Sequence, residues 1–214
     1  MYKLYWDSGT AAMAAHAALE EIATPFDLIR VDLDKDEQHS DWYLKVNPLG
    51  RIPALAHNDL VISEAAAILM YIADRHPGAR LAPAIDARER GAYLQWLVFL
   101  TNTVQETMLH WFYPEKYATT ESARADVQAH AQQRLASHCH YIDRALAQGP
   151  YLLGDRFSAA DLFLVMICRW TRNTPKPAMT YSNIKRLVDL VIARPAWQRM
   201  MKAQGITWSG LPEV

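Results

Sequence analysis

Several things are scarce in this chain, and each scarcity narrows what it can be. Cysteine occurs twice in 214 residues, at Cys139 and Cys168, too sparsely to suggest a disulfide framework. Neither sign of charge is in excess. Lys and Arg number 22 against 23 Asp and Glu, a net of −1, so no basic field argues for nucleic acid or an anionic membrane. No apolar run reaches the roughly 18 residues of a membrane span. The opening Met1-Tyr-Lys-Leu-Tyr-Trp runs directly into a strand-like pattern and lacks the apolar core of a signal peptide. Metal-ligand spacing is missing too, because His138 and His140 are two apart on a helical pattern and face different sides. There is no Gly-x-Gly-x-x-Gly fingerprint and no phosphate loop. These absences lead us to expect a cytoplasmic protein that needs neither metal, nucleic acid nor membrane.

What is present divides in two. Residues 1–6 read as a strand, 7–10 as a turn, and 11–23 as an Ala-rich helix that ends before Pro25. Alternating Phe26, Leu28, Ile29, Val31 and Leu33 give a second strand, parallel to the first through a right-handed crossover. A short helical piece at 42–46 precedes strands at 53–56 and 60–62, joined by a turn and hence antiparallel. A helix at 64–76 closes at Pro77-Gly78. After residue 82 no strand pattern appears. Helices are expected at 87–112, 121–147, 159–170 and 183–192, with a last one opened by Pro195. The expected fold class is therefore α/β plus all-α. A βαβ-ββα thioredoxin-like domain occupies 1–77, a linker 78–86, and a helical bundle 87–214.

The first domain carries one stretch with chemical meaning, Asn47-Pro-Leu-Gly-Arg-Ile-Pro53-Ala-Leu, followed by Ile62-Ser-Glu-Ala-Ala-Ala-Ile. The Ile52-Pro53 step opens a strand, where proline is tolerated and a cis bond serves a tight turn. Ser63-Glu64 precedes a helical pattern whose free N–H groups suit an anion. A tight turn and an open helix start, about ten residues apart, suit a small, peptide-like anionic ligand. On these residues the chain resembles the glutathione transferases, over nearly its whole length. Phe157-Ser158-Ala-Ala-Asp161 strengthens the resemblance, since the family opens its buried sixth helix with such a Ser-x-x-Asp box.

That resemblance implies a bound glutathione whose thiol must ionise, the thiolate being the nucleophile. Lowering a thiol from about 8.5 to about 6.5 takes roughly 2.7 kcal/mol. One hydrogen bond to a charged group supplies about 1.5–3 kcal/mol, and a helix N-terminus about 0.3–1 more. A single hydroxyl at the start of the first helix is therefore enough. Within Lys3-Leu-Tyr-Trp-Asp-Ser-Gly-Thr-Ala-Ala, Trp6 falls where many members have Tyr, and Thr10 where others carry a catalytic Ser. Ala11 falls where the bacterial beta class has its Cys, so mixed-disulfide chemistry is not expected. Thr10 is the expected hydroxyl donor and Ser8 the second choice. Backbone N–H groups, or a purely capping Thr10, remain open.

For glutathione itself, the resemblance assigns Ile52 the backbone pairing to the cysteinyl part, just before Pro53. Glu64 takes the γ-glutamyl ammonium, and Ala65 stands where Ser or Asp is usual, leaving only a helix amide for the carboxylate. Arg51 and Lys35 are available to the glycyl carboxylate. Met13, Gln105, Met108, Trp111, Tyr113 and Trp170 are expected around the electrophile, and of the aromatics in Trp111-Phe-Tyr-Pro, which cannot all face one way on a helix, at least one is expected to reach the cleft or a partner subunit. The expected activity is conjugation of glutathione to small hydrophobic electrophiles by a homodimer. The alternatives are a glutathione-dependent isomerase or reductase, or a non-catalytic binding module.

Overall fold

In strand β1 (Tyr2–Trp6), Tyr2, Leu4 and Trp6 are buried while Lys3 is exposed, the alternation that a one-sided sheet face imposes. In the computed structural model, which describes residues 1–208, β1 is a central strand of a four-stranded sheet of order β2-β1-β3-β4. Helix α1 (Ala12–Ile22) connects β1 to β2 (Phe26–Arg30), which runs parallel to it. Strands β3 (Ala54–His57) and β4 (Leu60–Ser63) complete an antiparallel hairpin beside β1. Between β2 and β3 lies the one-turn helix α2 (Asp41–Leu44), and after β4 comes α3 (Ala65–Arg75), packed against α1. Leu4, Met13, Leu19, Leu55, Ile68, Leu69 and Ile72 are fully buried. Each such side chain contributes about 1.5–3 kcal/mol.

The second strand is shorter than its alternation suggests. It stops at Arg30 because Leu33–Lys35 and Glu37–His39 coil into 3-10 turns about Asp36, whose φ is 58°. Val31 N–H still donates to Trp6 O at 2.8 Å, one step past the ladder.

By internal contacts, one compact unit comprises Met1–Ala84 together with Ala193–Thr207, and the other is built from Ile85–Ile192. This division differs from one drawn by chain order alone, because α9 (Pro195–Gln204) packs on α1. Arg194 holds Glu21 at 2.6 and 3.0 Å, and Arg199 Nε donates to Glu20 at 2.6 Å.

The second unit is helical. Helix α4 (Glu89–Phe99) passes through six π-helical residues, Leu100–Gln105, into α5 (Glu106–Phe112). The single helix expected over 87–112 is thus widened mid-way, with the Thr107 hydroxyl donating to Thr103 O at 2.7 Å. Helix α6 (Glu121–Ala145) is capped by Thr120 Oγ1 on Ala123 N–H at 3.3 Å. Helix α7 (Ala159–Trp170) is buried from Ala159 to Cys168, and α8 (Ser182–Ile192) begins on Asp143, which accepts from Asn183 and Ile184 N–H. Among the described residues, no helix is long and apolar enough to cross a membrane.

Candidate glutathione site

Three segments meet at one end of the sheet by register alone. Tyr5 of β1 pairs with Ala54 of β3, and Ala54 pairs with Ser63 of β4. The loop leaving β1, the Ile52-Pro53 step entering β3 and the start of α3 therefore share one edge. Ligand sites in such sheets gather beyond the carboxyl ends of the parallel strands.

The Pro53 segment is built rigidly. Tyr43 Oη and Asn47 Nδ2 both donate to Arg51 O, at 2.7 and 2.6 Å, and Asn47 Oδ1 accepts from Leu49 N–H at 3.2 Å. Gly50 has φ +59°, a left-handed backbone that favours glycine, and a Cβ there would sit 2.7 Å from the His39 ring, which would have to shift. The Ile52-Pro53 peptide is cis and Pro53 is buried. Among the described residues, the Ile52 N–H and C=O carry no hydrogen bond. The Arg51 side chain is exposed.

At the start of α3, Glu64 is exposed and adopts φ 69°, ψ 113°, and no side chain caps the helix. Positive φ at a non-glycine costs about 1–3 kcal/mol and persists where surrounding structure demands it. Ala65 is buried directly behind it.

Asp7, which sequence reasoning did not single out, organises the loop after β1. Its buried carboxylate accepts from Ser8 N–H at 2.9 Å, Arg30 Nε at 2.9 Å and Leu33 N–H at 3.0 Å. Thr10 Oγ1 donates to Asp7 O at 2.7 Å and accepts from Ala12 N–H at 3.3 Å. Ser8 Oγ donates to Gln204 O at 3.0 Å. Both hydroxyl protons are thus given to main-chain carbonyls. Lys35, 80% exposed, pairs with Asp32 at 2.9 Å beside an open cavity of about 460 Å³ that Arg30, Glu37 and Trp42 also line. A lysine so solvated keeps its charge, and Asp32 raises its pKa further through that hydrogen bond.

The residues expected around an electrophile divide. Met13 is fully buried in the first unit and Met108 is 1% exposed in the second, so these two side chains fill cores and present no surface to a ligand. Gln105, at the end of the π-helical segment, is half-buried, and its Oε1 has no hydrogen-bond partner among the described residues. Trp111 and Trp170 are half-buried; Tyr113 is exposed, with Lys116 Nζ 4.3 Å above its ring. Phe112 is exposed beside it. Both cysteines are buried in the helical unit, and burial pushes the Cys139 thiol up to about 12 and the Cys168 thiol well above its ordinary value. Among the described residues no cluster of three His, Cys, Asp or Glu could hold a metal ion.

Residues 2–74 match the model of the glutathione S-transferase N-terminal domain, and residues 122–203 that of the C-terminal domain. The chain is 28% identical over 206 residues to glutathione S-transferase GstA of Escherichia coli O157:H7, covering 95% of this chain and 99% of that one. It is 30% identical over 197 residues to the disulfide-bond oxidoreductase YfcG of Escherichia coli K12, covering 87% and 88%. A glutathione transferase homologue from Sulfitobacter, solved with bound glutathione, superposes with a TM-score of 0.88 at 30% identity, over 97% of this chain and 99% of that one. With two domain models in their expected order and full-length relatives at this identity, the chain belongs to the glutathione S-transferase family, a family of enzymes.

Proposed function

We propose that this protein binds glutathione at the sheet edge and conjugates its thiolate to small hydrophobic electrophiles. The observation that carries the reading is the convergence there of an unpaired Ile52 backbone, the open start of α3 at Glu64, and the start of α1. The tripeptide's cysteinyl amide pairs with Ile52 next to Pro53. Its γ-glutamyl ammonium meets Glu64, and its carboxylate meets the uncapped N–H groups that begin with Ala65. Arg51 and Lys35 serve the glycyl carboxylate. The thiolate rests by α1, where Thr10 reaches it by turning its hydroxyl from Asp7 O, with Ser8 the second donor. Gln105, Trp111, Tyr113 and Trp170 are the residues we assign to the electrophile, and a second copy of the chain is the expected partner.

One relative is named an oxidoreductase, which favours disulfide reduction as a second reading. A protein cysteine serving that reaction would have to be Cys139 or Cys168, and burial holds both as unreactive thiols. Calorimetric titration with glutathione, followed by parallel thiol-conjugation and disulfide-reduction assays, tests the choice. Conjugation in the millimolar glutathione range supports the proposal. Binding with reduction alone supports the second reading, and no binding overturns both.

A further inference from the structure

Helix α9 runs antiparallel along α1, since Arg194 meets Glu21, Arg199 meets Glu20, and Gln204 meets His16. Its last residue, Gln204, is buried although polar, and such a group is retained where its hydrogen bonds are filled. Its three bonds outside α9 all run to α1 or to the loop before it. Gln204 Oε1 accepts from Gly9 N–H at 3.3 Å, Gln204 O accepts from Ser8 Oγ at 3.0 Å, and Nε2 lies 3.1 Å from His16 Nδ1. With Oε1 spent on Gly9, Nε2 is the donor to His16, and the imidazole proton stays on its Nε2. Burial lowers the His16 pKa to about 4, so Nδ1 remains an acceptor at neutral pH and the amide keeps one orientation. The bond from Ser8 also satisfies one of the carbonyls that a helix end leaves unpaired.

From this arrangement we propose that Gln204 is a positioning residue for the thiolate site, holding Ser8-Gly9 so that Thr10, at the start of α1, faces a bound glutathione sulfur. The loop is held from two sides. Asp7 ties it to Arg30 and Leu33, and Gln204 ties it to a helix from the far end of the chain. Without the second tie, Gly9, whose φ is +70°, has the widest conformational freedom of any residue in the loop. Donors that drift by an ångström lose most of their effect on a developing charge.

The inference rests on the proposed function, and its test separates the two. The first step is to titrate the thiolate absorbance of glutathione bound to the unaltered protein against pH. Absence of a bound thiolate there overturns the functional reading and this inference with it. Where the thiolate is seen, Gln204→Met, which keeps an unbranched side chain of similar length, should raise its apparent pKa by about half to one pH unit. At neutral pH kcat should fall about three- to tenfold, recovering at higher pH, with KM for glutathione within about twofold. An unchanged titration, or a loss of kcat equal at every pH, overturns the proposal by showing a merely structural role. Should Gln204→Met fail to fold, amide exchange in the unaltered protein decides. Gly9 N–H should be protected by its bond to Gln204, and exchange at the rate of a free loop overturns the inference.

Discussion

Helix α7 begins directly after Ser158 and α1 two residues after Thr10, yet their starts are built in opposite ways. At α7 everything is buried and closed. Asp161 accepts from Ser158 N–H at 2.7 Å and Ser158 Oγ at 3.1 Å, and its other oxygen takes Leu152 N–H at 2.8 Å. Both residues are fully buried. At α1 the cap residue Ala11 offers no side-chain bond, and Thr10 is half-exposed and reaches Ala12 N–H at only 3.3 Å. A start whose donors are filled by the protein can do nothing but fold. A start closed only by one half-exposed hydroxyl and its own carbonyl, on a loop tied down around it, can turn that hydroxyl to a ligand.

The largest effect should come from breaking the closed start. Asp161→Ala leaves buried Leu152 and Ser158 N–H groups without acceptors and should cost about 3–5 kcal/mol, read from denaturant unfolding. In whatever fraction folds, the bound-thiol titration should be unchanged.

The two helices also differ in how they respond to protons. His16 in α1 titrates at about 4 when folded, below its usual 6.5, because burial disfavours the cation. Its contribution is present above pH 6.5 and is lost as pH falls towards 4, a change of roughly 3 kcal/mol. Asp161 is pushed by burial to about 7, against the hydrogen bonds that hold it down. Its contribution is present below pH 3.8 and is lost as pH rises through 7. The two slopes oppose each other across their shared window. Unfolding free energies measured from about pH 5 to 6.5 should therefore become more negative in slope in His16→Asn, by up to about 1.4 kcal/mol per pH unit. An unaltered slope would mean that His16 is not kept neutral by the fold.

The smallest change in stability should come from the open start. Thr10→Ala should cost about 1 kcal/mol or less while raising the apparent pKa of bound glutathione, with Thr10→Ser restoring it. A stability loss with no change in titration would make Thr10 a capping residue alone and move the thiolate onto backbone donors.

The order of strands and helices was legible in the sequence because alternation in Phe26–Leu33 and the apolar spacing of the later helices follow directly from burial. The Ser158-Ala-Ala-Asp161 box was legible because both partners lie within one turn. Other features left no such trace. Glu64 at φ 69° is invisible, since glutamate carries no preference for that region. The π-helical stretch Leu100–Gln105 contains neither Pro nor Gly to mark it. Asp7 reads as a turn residue, and its partners Arg30 and Leu33 lie more than 20 positions away. Gln204 lies 188 residues from His16, and no local pattern reports a hydrogen bond across that span.

Helix α9 also has a consequence for how the molecule comes into being. Domains emerging from the ribosome generally fold as units, the N-terminal one first. Here the sheet and α1 are synthesised early, but Glu21 waits 173 residues for Arg194. Until then one side of α1 faces water and Ser8-Gly9 lacks its second anchor. In the nascent chain the first unit stays unfinished until α9 has been made, and the loop proposed to hold the thiolate is completed only then.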